Sequence, residues 1–145
     1  MAYLFDTSVL SIAMSQQRMA RHPRFARWLA TVPRSQQHTS IQVVGELLYG
    51  AQRHPDPARR ETLAQRIAAI LAHLTVLSHD RQVAERYADL RTHLERVGTP
   101  VGEGDLWIGA CAAARGLSVV TANVRHFDRM PGVSVEPVVA ETAAE

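Results

Sequence analysis

Three carboxylates in this sequence stand where a fold can put chemistry: Asp6, Glu46 and Asp105. Asp6 follows Tyr3-Leu4-Phe5, a short aromatic and aliphatic run that reads as a buried strand. After it come Thr7-Ser8 and then Val9, Leu10, Ile12 and Ala13 at helical spacing. Asp, Thr and Ser are poor strand interiors and good helix starters, so the pattern is strand, acid, helix. Glu46 lies in a helix over 41–51, on the margin of the apolar arc that we assign to Ile41, Val44, Leu48 and Ala51, and that helix follows a short strand, His38-Thr39-Ser40. Asp105 opens a stretch, Leu106 to Ala114, that is apolar or small on every side and so reads as a buried helix. Thr121 and Asn123 follow the cleanest strand, Leu117 to Thr121. In an open α/β sheet, ligands and chemistry collect outside the carboxyl ends of strands. Capping of a helix is the competing reading for Asp6 and Asp105, and a solvated helix face is the competing reading for Glu46. Convergence of the three decides between them.

Converging carboxylates cannot all stay ionised without a cation, because each raises the others' pKa. Every one of the 16 basic residues is Arg, and the motifs themselves carry only Arg125. A divalent metal is therefore the natural counter-charge, and oxygen ligands select a hard ion, Mg2+ with Mn2+ as a substitute. The seven His residues show no zinc spacing and Cys111 stands alone. Such a centre suits phosphodiester hydrolysis by metal-activated water. Asp6 and Asp105 are the expected primary ligands, Glu46 binds a second ion or orients the water, and Thr121 and Asn123 fix the surrounding shell by hydrogen bonds. The absence of Lys excludes Schiff-base chemistry and a phosphate-binding loop built on Lys. An all-Arg cation set is compatible with a phosphate-rich partner, although base composition explains it as well.

The positioning elements follow from periodicity. Helices are expected over about 8–19, 24–32, 41–51, 58–74, 80–97 (opened by Asp80) and 105–115, and strands at 3–5, 38–40, 75–78, 117–121 and 133–136. In the helix over 58–74, Leu63, Ile67, Ile70, Leu71 and Leu74 point inward. This alternation predicts an α/β fold with a central, mainly parallel sheet flanked by helices. The whole chain, 1–145, reads as a single domain, with a frayed tail over about 140–145. An apolar content of 46% with 21% charged residues is that of a globular protein, no run has the length of a membrane span, and the first residues are too short and uncharged for a signal peptide. With one Cys, a reducing cytoplasm is the expected location.

The set Leu4-Phe5-Asp6-Thr7-Ser8, Ser40 to Glu46-Leu47, Gly98 to Ile108 and Val120-Thr121-Ala122-Asn123-Val124-Arg125-His126-Phe127 resembles the PIN-domain ribonucleases, and within them the VapC-type toxins of toxin–antitoxin pairs. The resemblance spans essentially the whole chain with its motifs in order. It implies a parallel sheet flanked by helices, Mg2+-dependent endonuclease activity on RNA, a homodimer and inhibition by a VapB-type antitoxin, and it carries the family's acids onto Asp6, Glu46 and Asp105, while the lack of a spanning run leaves no membrane partner expected. One departure stands out: many members have a further acid where this chain has Asn123, and Glu103 or Asp128 is the candidate to replace it. Two alternatives follow. One is a catalytically weak PIN domain that acts by binding RNA or an antitoxin. The other, a phosphoacceptor domain, is disfavoured because such sites rely on a Lys that this chain lacks.

Overall fold

A computed structural model describes residues 1–141. The chain begins with β1 (Tyr3–Phe5), followed by α1 (Thr7–Ala13), α2 (Gln16–Ala20) and α3 (Pro23–Thr31). A single 3-10 turn leads into β2 (Gln37–Ser40), α4 (Ile41–Gln52), α5 (Pro57–Leu71) and β3 (Thr75–Leu77). The remainder runs α6 (Arg81–Arg96), α7 (Glu103–Arg115), β4 (Ser118–Thr121), α8 (Val124–Phe127) and β5 (Ser134–Pro137).

The five strands form one sheet in the order β3-β2-β1-β4-β5, and every pairing is parallel. A sheet covered by helices needs apolar residues on both strand faces. Leu4 and Phe5 of β1 and Val119 and Val120 of β4 are accordingly buried. Parallel pairing brings all strand carboxyl ends to one rim. The chain steps from β1 outward to β2 and β3, then returns to lay β4 on the other side of β1. The crevice at that reversal, between the ends of β1 and β4, is where such sheets bind ligands. Phe5 pairs with Val120, so Asp6 and Thr121 face each other across it.

α7 is the buried helix expected: Leu106, Ile108, Gly109, Ala110, Cys111 and Ala112 are all inside. Gly116 closes it in the left-handed region at φ 66°, a conformation open to Gly, with the Leu117 amide donating to the Ala112 carbonyl at 2.9 Å. On α5, Ile67 is buried and Leu63, Ile70 and Leu71 pack against the core, as the periodicity predicts; the helix ends at Leu71 rather than at 74, and Leu74, beyond it, packs against the core as well.

Two expectations are corrected. The helix over 8–19 is two helices, because the Ser15 hydroxyl accepts the Arg18 amide at 3.2 Å and starts α2 afresh. On α4 the buried stripe is Val43, Leu47 and Ala51, whereas Ile41 and Leu48 are 49% and 39% exposed. Apolar residues occur around most of α4, so periodicity leaves its rotation open. The direct passage from β2 through the Ser40 cap fixes it instead, with Ser40 Oγ accepting the Val43 amide at 3.4 Å. At the far end, Glu141 is tied to Arg24 by a hydrogen bond from the Arg24 amide at 2.8 Å and an ion pair at 3.3 Å. The rest of the expected frayed tail, 142–145, lies outside the described residues.

Candidate active site

Asp6 is 3% exposed and does two jobs. Its Oδ1 caps α1 by accepting the Val9 amide at 3.1 Å, and its carboxylate forms part of the cavity at the β1/β4 crevice. Capping and a place in the site are thus the same feature. Ser8 Oγ donates to Oδ1 at 2.6 Å and Thr121 Oγ1 donates to Oδ2 at 2.5 Å. Those hydroxyls are themselves oriented, for Ser8 Oγ accepts the Ala122 amide at 3.0 Å and Thr121 Oγ1 accepts the Asn123 amide at 2.8 Å. An amide can only donate, so each hydroxyl proton is turned toward Asp6.

Glu46 reaches the same place from α4. Its Oε1 accepts from Thr7 Oγ1 at 2.6 Å and its Oε2 from Gln42 Nε2 at 3.1 Å. Gly104, in the first turn of α7, makes room for it, because a Cβ there would lie 2.5 Å from Glu46 Oε2. Asp105 is the third residue of α7, whose cap is Gly102, so it is not a capping residue. Its Oδ2 lies 2.6 Å from His126 Nδ1 on α8.

Asp6, Thr7, Ser8, Ser11, Arg18, Glu46, Asp105, Ile108, Asn123 and His126 line one open cavity of about 310 Å³. The three predicted acids and Asn123 therefore converge, and Thr121 stands behind them as a hydrogen-bond donor. Burial pushes the Asp6 pKa above its ordinary value against the pull of its hydrogen bonds, and the charge of Asp105 adds to that rise. Burial also raises Asp105; His126 offsets part of the effect and the charge of Glu46 adds to it. Each acid thus feels the next.

Glu103 does not replace the acid missing at position 123. It accepts from the Tyr87 hydroxyl and from Arg91 Nη1 at 3.1 Å on the α6 side of α7. Asp128 is exposed at the end of α8 and does not line the cavity. Sequence reasoning passed over Thr7, Ser8, Ser11, Gln42, Gly104, Arg18 and His126 as site residues. Thr7 and Ser8 had a signal in their place beside Asp6. His126 lay within the last motif, but nothing in spacing pairs it with Asp105.

The PIN-domain family model matches residues 3–133. The chain belongs to the PIN-domain family. It is of the VapC type. It is 41% identical over 91 residues to the tRNA(fMet)-specific endonuclease VapC of Salmonella typhimurium, spanning 63% of this chain and 67% of that one. The Shigella flexneri enzyme of the same name is 28% identical over 134 residues, 92% of this chain and 96% of the relative. Among solved structures, DNA-bound VapBC from Salmonella typhimurium superposes with a TM-score of 0.78 at 33% identity, covering 94% of this chain and 98% of that one. This VapC-type chain is a ribonuclease, in keeping with the nuclease names of its relatives. Nucleases of the PIN family are generally dependent on a divalent metal. Among the described residues, no helix is long and apolar enough to cross a membrane.

Proposed function

We propose that the acid-lined cavity is the catalytic centre of an endoribonuclease toxin that uses Mg2+, with Mn2+ as a substitute. The observation that carries this reading is the convergence of Asp6, Glu46 and Asp105 on one cavity at the sheet's switch point. Among the described residues, no three His, Cys, Asp or Glu side chains form a ready-made metal cage. Mg2+ is commonly held by one or two carboxylates, keeps several waters and takes substrate phosphate oxygens as further ligands. The donors are all oxygen, and a cation would favour the ionised form of Asp6 and Asp105, whose pKa values are raised chiefly by burial and further by a neighbouring carboxylate. Asp6 and Asp105 would hold the ion, which supplies charge neutralisation and a more acidic water.

The chain's own groups do the rest. Ser8 and Thr121 fix the Asp6 carboxylate in one orientation. Thr7 and Gln42 aim Glu46, free of any Arg, as the group that orients the attacking water. The Asn123 side chain makes no capping bond on α8 and is available to the substrate or to the metal's waters.

The partner is a VapB-type antitoxin, as in the VapBC complexes among the structural relatives. The exposed Ile41, Leu48 and Tyr49 of α4 provide apolar surface for a protein partner or for a second copy in a homodimer. RNA is the substrate, and the relatives' names make tRNA(fMet) the first one to assay. A cytoplasmic location follows from that substrate and from the single thiol.

The test is cleavage of tRNA by the antitoxin-free protein with Mg2+, with Mn2+ and with EDTA, beside Asp6→Asn. Discrete fragments that need metal and vanish in the variant are expected. A folded wild type that cleaves nothing with either metal would return the reading to a binding-only PIN domain.

A further inference from the structure

The cavity contains one permanently cationic side chain, and the cleavage chemistry leaves it without a role. Arg18 of α2 lines the same space as Asp6, Glu46 and Asp105. Among the described residues it forms no ion pair with any of them, although Arg24, Arg81, Arg91 and Arg115 each pair with an acid elsewhere. Its placement is built rather than incidental. Ser15 breaks what would have been one helix and holds the Arg18 amide at 3.2 Å. From the other side, Nδ1 of the buried His22 donates to the Arg18 carbonyl at 2.7 Å. The backbone is thus pinned on both sides while the guanidinium stays exposed. Asn123 and His126 of α8 line the same cavity, so the acids, these polar groups and Arg18 border one open space.

We infer that Arg18 is a substrate-positioning residue that grips an RNA phosphate next to the one being cleaved. This rests on the assignment of the cavity as the catalytic centre. Guanidinium offers a planar fork that matches two phosphate oxygens, and an Arg not committed to a carboxylate keeps that fork free. A phosphate at the acids with its metal and a neighbouring phosphate on Arg18 would hold one strand in the cavity. The acids act on the reacting phosphate, while Arg18 fixes which phosphate that is.

Binding is separated from cutting by using Asp6→Asn as the background. Fluorescence anisotropy of labelled tRNA(fMet) with D6N and with D6N/R18A is measured at several KCl concentrations, and D6N/R18K provides the conservative exchange. Loss of Arg18 is expected to weaken binding about tenfold and to lower the slope of log Kd against log salt by about 0.7, the value for one contact to a single strand. The Lys variant recovers the slope and part of the affinity. In the cleaving background, R18A raises KM with kcat nearly unchanged. Equal affinity and equal slope with and without Arg18 overturns the inference, as does normal RNA binding combined with weakened inhibition by the antitoxin. Cleavage by the wild type is compared separately with its loss in D6N. A failure of the catalytic assignment is thereby distinguished from a failure of the Arg18 assignment.

Discussion

Thr121 at the end of β4 donates from Oγ1 to Asp6 Oδ2 at the end of β1, 2.5 Å across two neighbouring strands whose sequence positions lie 115 residues apart. The direction of this bond is set by the Asn123 amide, which occupies the hydroxyl's acceptor side at 2.8 Å. A backbone turn thus orients a hydroxyl, and the hydroxyl orients a carboxylate. Thr121→Val keeps the volume and removes the relay, leaving the Asn123 amide and one carboxylate oxygen unpaired in a buried place. A stability loss of about 1–3 kcal/mol is expected in urea melts. Thr121→Ser retains the hydroxyl and should cost less. Cleavage should fall further in Thr121→Val than in Thr121→Ser, and equal activities would show that Asp6 needs no orientation.

Asp6 itself should trade stability against pH in a defined direction. Its pKa is raised in the folded protein, chiefly by burial, from an ordinary 3.8. A raised acid contributes stability that is fully present below the unfolded value and is lost as pH climbs through the folded one. Ionised Asp6 therefore destabilises the metal-free protein at neutral pH. Asp6→Asn keeps an oxygen for the Val9 amide and should be more stable by about 1 kcal/mol at pH 7, with the difference shrinking as pH falls toward 3.8. Mg2+ should raise the Tm of the wild type and leave that of the variant nearly still. Melts across pH with Mg2+ and with EDTA decide it, and an Asp6→Asn protein less stable at every pH would make Asp6 a structural cap only.

These pairings mark the boundary of what the sequence discloses. Strand ends and helix starts are written in local residue types, so Asp6, Glu46 and Asp105 were readable as site candidates, and alternating elements were enough for the parallel sheet. What escaped depends on contacts between distant segments. The rotation of α4 is invisible to periodicity because apolar residues occupy most of its circumference, and so Ile41 and Leu48 were expected inside where Val43 and Leu47 lie. Capping competes as a reading of Asp105 in the sequence because nothing local shows that the helix begins at Glu103. Glu103 is in the sequence one of two candidates, with Asp128, for the missing fourth acid, and only the fold shows that Tyr87 and Arg91, on another helix, claim it.

Two glycines of α7 should respond oppositely to Ala. At Gly104 the added Cβ meets Glu46 Oε2 at 2.5 Å, the far end of a flexible side chain that can swing away. Folding should be kept, with a gain of up to about 1 kcal/mol from helix propensity, while cleavage drops because Glu46 is displaced. At Gly109 the Cβ meets Met130 Sδ at 2.3 Å, and Met130 is buried in the core. Overpacking there should cost about 1–3 kcal/mol. Thermal melts and cleavage rates of both variants check the contrast. An active G104A would show that the position of Glu46 does not matter.

Asn123→Asp asks whether the fourth polar position limits the metal. Asn123 lines the cavity with its side chain free of any capping bond on α8. An acid there would stand beside acids whose pKa values are already raised by burial and by one another. Without metal the added charge should therefore lower stability at neutral pH, and this loss should disappear in acid, where the group is protonated. With metal the sign reverses: a further oxyanion should lower the Mg2+ concentration that gives half-maximal cleavage by about tenfold, the equivalent of 1.4 kcal/mol. Mg2+ titrations of cleavage and of Tm for wild type and variant measure both effects. An unchanged Mg2+ requirement alongside the stability loss would place position 123 outside the metal's reach and leave Asp6 and Asp105 to hold it alone.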